Sequence, residues 1–160
     1  MTAAEVAARL GRPSGSLYHR FASRDHLLAE TWLDAVASFQ AGYLRALNAD
    51  DVGGAARHVV AWSRQQPARA ALLTAFRRTD LLHPSWPPEV ADRVVTASTA
   101  LERGIRACAR RLAVPHAFLL AAVVDLPYGV VRRKLSNGAL TEEDERIVHC
   151  AAGAIVEAAS

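Results

Sequence analysis

The stretch EVAARLGRPSGSLYHRF, Glu5 to Phe21, decides how the rest of the chain is read. Val6 and Leu10 stand four apart, Gly11 follows, and Leu17 and Phe21 again stand four apart. That spacing predicts two short helices turning their apolar positions into one small shared core. Ala7 lies one helical turn before Gly11 and leaves room for a close crossing, and Gly11 can take the left-handed conformation that a sharp turn requires. Arg12 precedes Pro13 and is therefore pushed out of helical geometry at the bend.

On the second of these helices, at about 100° per residue, Leu17 and Phe21 point inward while Gly15 and His19 lie opposite, flanked by Ser16, Tyr18 and Arg20. A face this small and polar fits a major groove, where hydroxyls and an imidazole reach base edges. Ser14 and Gly15 at the leading end allow close approach, and Tyr18, Arg20 and Arg24 suit phosphate oxygens along the sides. The charge distribution points the same way. Residues 1–24 hold Arg9, Arg12, Arg20 and Arg24 against Glu5 alone, so this end accounts for the whole formal net charge of +3 and the remainder of the chain is balanced. A positive end on a neutral body favours a polyanionic partner at that end.

Beyond this stretch apolar residues recur at helical spacing, and no alternating run bounded by hairpin turns occurs, which predicts an all-α fold. With 51% hydrophobic residues among 160, the chain can close a core without staples. A long helix is expected from about Arg24 to Leu47, with Leu28, Trp32, Val36, Phe39, Tyr43 and Leu47 on one stripe. Two helices follow near Gly54 to Gln65 and Pro67 to Leu82, the second with proline at its first position, and a further one runs from the Trp86–Pro88 breaker toward Pro115. The final pair, HAFLLAAVVDLPYGVV and RIVHCAAGAIVEAA, is apolar on more than one face and rich in small residues. Such helices bury one face within their own subunit and the other against a partner. Thr141 is placed to cap the last of them, with the acids of Glu142 to Glu145 meeting its dipole.

The opening stretch resembles the DNA-reading unit of the tetracycline-repressor (TetR) family of bacterial one-component regulators. The resemblance is carried by Ala7, Gly11, Gly15, Ser16, Leu17, Tyr18, His19, Arg20, Phe21, Ser23, Arg24, Asp25 and Leu27. The rest is similar in architecture rather than motif. The resemblance implies a helix-turn-helix region with a connecting helix over residues 1–46 and an effector-binding and dimerisation domain over 47–160. It also implies contacts to an operator duplex through Ser16, Tyr18, Arg20 and Arg24, with His19 beside them, and a homodimer joined through the last two helices. A small apolar effector would sit among Trp62, Phe76, Trp86, Phe118 and Tyr128.

Two departures occur at the turn, where Arg12 replaces the usual valine and Pro13 the usual capping hydroxyl. A larger one precedes it: the family places another helix before this motif, and Met1 falls where the second family helix begins. Either the true start lies upstream of Met1 or the form is a naturally shortened one; for the sequence as given the expectation is a truncated helix-turn-helix whose residues 1–21 move more than the body and whose grip on DNA is weak or lost. The alternative function is then a shortened homologue that dimerises or binds a ligand without binding DNA.

Other chemistry finds no pattern to stand on. No nucleophile–base arrangement, paired metal-ligand motif or Gly-rich phosphate loop occurs, so catalysis, a metal and a cofactor are not expected. Cys108 and Cys150 match no C-x-x-C spacing and read as free thiols in a reducing, cytoplasmic compartment, with Cys108 buried and inert. The apolar run from Ala117 to Val124 breaks at Asp125 and Pro127, so no membrane span is expected. Asp125, in that apolar run, is expected to meet a cap, a freed N–H or a base such as Arg132.

Overall fold

The computed structural model describes residues 24–75 and 88–159. Among these residues every regular element is helical, as the periodicity predicts. In chain order they are α1 (Arg24–Asn48), α2 (Val52–Gln65), α3 (Pro67–Ala75), α4 (Pro88–Arg111), α5 (His116–Leu120), a π-helical turn (Ala121–Asp125), α6 (Leu126–Asn137) and α7 (Glu142–Glu157). None of the described helices is long and apolar enough to cross a membrane.

Helix ends follow from local chemistry. The α1–α2 corner is built by Asp50, whose φ of 56° is the left-handed conformation that ends a helix, and by the Asp51 N–H returning 3.0 Å to the Ala46 carbonyl. Asp51 then caps α2, its carboxylate accepting from the Gly54 N–H at 2.7 Å. Arg111, at the end of α4, reaches back to this corner. It donates to the Leu47 carbonyl at 2.6 Å and pairs with Asp50 at 2.8 Å. Ala113 repeats the left-handed stop after α4 with φ 57°, and the Val114 N–H closes on the Ala109 carbonyl at 3.1 Å. At α7 a capping box is complete: Thr141 Oγ1 accepts from the Asp144 N–H while Asp144 accepts from the Thr141 N–H.

Two buried clusters share α1. The first gathers Ala29, Trp32, Leu33 and Val36 with Val90 and Val94 of α4. The second joins Tyr43 and Leu47 to α2 through Val52 and Val60, to Cys108 of α4, and to Leu119, Val123, Val131 and Val148 of the last helices. The expected stripe on α1 is thus the spine of the molecule. Ion pairs of Arg93 with Glu30 and Arg69 with Asp34 fasten α4 and α3 to its polar flank, and Arg64 with Glu145 ties α2 to α7.

Pro127 lies inside the rod formed by α5, the π turn and α6 rather than ending it. Helical backbone angles continue through Leu120, Ala121, Asp125 and Leu126. A proline in a helix has no N–H for the carbonyl four residues back and crowds it with its ring. Here that carbonyl belongs to Val123, within the π turn, and the Tyr43 hydroxyl donates to it at 2.8 Å. Asp125 itself is exposed and makes no ion pair or side-chain hydrogen bond among the described residues. The polar contact at this bend is made by the Val123 carbonyl, with a partner from α1.

Candidate ligand cavity

Where the two clusters meet, packing is incomplete, and a cavity of about 440 Å³ opens between α1, α2, α3, α4 and the bent rod. That volume falls within the roughly 300–1,000 Å³ of small-molecule sites. Helix α1 contributes Trp32, Val36, Phe39, Gln40 and Tyr43, all on its apolar stripe or directly beside it. Helix α2 adds Val59, Trp62 and Ser63; α3 adds Ala70, Leu73 and Thr74; α4 adds Ser98, Leu101 and Glu102. The rod closes the far side with Val123, Val124, Tyr128 and Val131.

The aromatic wall is ordered around Phe39. Its ring stacks on Tyr43 at a centroid distance of 5.1 Å, meets Trp62 edge-on at 5.4 Å and lies tilted against His58 at 5.6 Å. The Trp62 N–H is held by Ser38 Oγ at 3.1 Å. His58 bonds the Phe39 carbonyl at 2.9 Å and fills the space that the missing side chain of Gly42 leaves on α1. Burial lowers the His58 pKa, with a smaller push from Arg45 that the Phe39 bond opposes. Burial likewise raises that of Tyr43. Both groups are therefore held neutral.

Polar groups on the wall are few and mostly committed. The hydroxyls of Tyr43, Thr74 and Ser98 donate to the carbonyls of Val123, Ala70 and Val94, and Gln40 Nε2 donates to the Ala97 carbonyl. Ser63, only 4% exposed, makes no side-chain hydrogen bond among the described residues. The Trp32 indole N–H is buried without a partner. No Lys, Arg or His lies on the wall.

Of the residues singled out for a pocket by sequence, Trp62 and Tyr128 stand on this wall. Phe118 does not: it is 42% exposed on α5, whose buried face carries Leu119 instead. Phe76 and Trp86 lie outside the described residues, as do Ser14, Gly15, Ser16, Tyr18, His19 and Arg20. Arg24 is the first residue of α1. Gln40, Ser98 and Glu102 were not singled out, since only the packing of α4 on α1 brings them together. No group of three or more His, Cys, Asp or Glu placed to hold a metal ion occurs among the described residues. Cys108 is buried, and burial followed by the neighbouring Asp50 carboxylate pushes its thiol up to about 11.

No family model, curated protein or solved structure matches this chain in comparisons of sequence and fold.

Proposed function

We propose that this chain is a ligand-responsive, DNA-binding transcriptional regulator of the tetracycline-repressor type, acting in the cytoplasm as a homodimer. The observation that carries the reading is the placement of the cavity against α1. Helix α1, which follows in sequence the stretch that resembles a helix-turn-helix, supplies five residues of the cavity wall. A ligand that fits better to one setting of α1 biases the position of whatever is attached to its N-terminal end. Two recognition helices read successive major grooves only when about 34–36 Å apart, so a small tilt of α1 in each subunit releases the duplex.

Support for the dimer comes from α7 and the rod. Ile147, Cys150 and Ala154 form an exposed stripe on α7, with Ile147 53% exposed. Gly129 and Gly153 have open space where a side chain would stand, which lets a second backbone approach.

The test is binding of the purified full chain to the DNA upstream of its own gene across a salt series. Affinity should fall steeply with salt, and Arg24→Ala should reduce the log–log slope by about one if Arg24 holds a phosphate. Absence of DNA binding at low salt by a chain that still takes up a ligand would overturn the regulator and leave a dimerising or ligand-binding homologue.

A further inference from the structure

The hydrogen-bonding inventory of the cavity restricts what can occupy it. The hydroxyls of Tyr43, Thr74 and Ser98 have each spent their one donor on a backbone carbonyl, so what they offer the cavity is lone pairs, while Gln40, with one amide N–H given to the Ala97 carbonyl, keeps its carbonyl oxygen and one N–H. The unpartnered Trp32 N–H is sealed inside the wall and is not presented to a guest. Ser63 and Tyr128 are the wall hydroxyls among the described residues with no bond of their own, and each can turn to accept as well as donate. Glu102 adds a carboxylate one helical turn from Ser98, has no ion-pair partner among the described residues, and faces no cation on the wall. Around these acceptors stand the rings of Trp32, Phe39, Tyr43, Trp62 and Tyr128, whose faces are negative.

We infer that the cavity selects a lipophilic cation carrying N–H donors, an apolar body with a protonated amine, and turns away carboxylates of the same size. The apolar body replaces the missing packing between the two clusters, while the ammonium lies among aromatic faces and lone pairs with Glu102 at the α4 side. A carboxylate in the same place would meet the lone pairs of Tyr43, Thr74 and Ser98 and the Glu102 charge, with no cation on the wall and only the neutral donors of Ser63, Tyr128 and Gln40 to receive it. This inference rests on the reading of the cavity as the effector site.

The experiment titrates the full chain with decylammonium, decanol and decanoate below their micelle concentrations, following intrinsic tryptophan emission, since Trp32 and Trp62 stand on the wall. Decylammonium should bind about tenfold more tightly than decanol, and decanoate more weakly than either. Glu102→Gln, an exposed position whose substitution leaves the core untouched, should cut the preference for decylammonium over decanol to about threefold or less. Decanoate binding as tightly as decylammonium, or an unchanged preference in Glu102→Gln, would sink the charge selection while leaving the cavity as a ligand site. No response to any of the three would remove the cavity from ligand binding altogether, and this inference with it.

Discussion

The hydroxyl of Tyr43 donates at 2.8 Å to the carbonyl of Val123, four residues before Pro127, whose ring nitrogen carries no N–H. Two consequences of one proline are thereby joined: a π turn in the last-but-one helix, and a fixed distance between that turn and α1. Both Tyr43 and Val123 stand on the cavity wall, so the bond ties α1 to the rod at that wall.

Tyr43→Phe keeps the ring and its stack on Phe39 but removes the hydrogen bond to a buried carbonyl. The expected cost is about 1–3 kcal/mol, read from the urea midpoint at unchanged m-value. The assignment to Pro127 is checked by a double-mutant cycle. Pro127→Ala restores an N–H four residues beyond Val123, so Tyr43→Phe should cost at least about 0.5 kcal/mol less in that background. Equal costs in both backgrounds would show that the hydroxyl stabilises by some means other than satisfying this carbonyl.

His58 gives the body a pH dependence of defined sign. Its folded pKa lies below the ordinary value because burial disfavours the imidazolium. Above the unfolded pKa of about 6.5 neither state holds the proton, and this contribution to stability is fully present. As pH falls below that value the unfolded chain takes up the proton first, and the contribution is lost until the lower folded pKa has been passed. Urea unfolding of the full chain should therefore show stability declining from about pH 7.5 to pH 5, with a smaller decline in His58→Gln. A decline of the same size in both proteins would place the titrating group elsewhere.

What could be read from sequence, and what could not, divides along physical lines. The α1 stripe, Pro67 at the start of α3 and the Thr141 cap were legible because each depends on neighbours within one or two turns. The cavity was not, because its wall is assembled from residues as far apart as Trp32 and Val131, and its volume is what remains after five elements fail to close. Phe118 and Tyr128 looked alike as aromatics in an apolar run. The π turn separates them, and only Tyr128 reaches the wall. His58 has no spacing in the sequence that marks it as inward; the signal was Gly42, a glycine inside a helix that otherwise favours larger residues, vacating the space the imidazole fills. Asp125 misled because the sequence shows a charge in an apolar run but not which backbone carbonyl near Pro127 a hydroxyl from α1 will reach.

The two thiols make the proposed partner surface measurable in solution. Cys108 is buried and its thiol is pushed up to about 11, so almost none of it is thiolate at neutral pH. Cys150 is exposed on the α7 stripe between Ile147 and Ala154. In the dilute native protein one thiol should react promptly with an aromatic disulfide reagent, and the second only after denaturant is added. If the stripe is where two copies meet, the reaction of Cys150 should slow as protein concentration rises through the range in which sedimentation shows dimer forming. Replacement of Ile147 by a charged residue, Ile147→Glu, should move both transitions together to higher concentration, since it sets a carboxylate on a face that must lose water to associate. A Cys150 rate that stays constant while the mass doubles would place the interface on another face of the body.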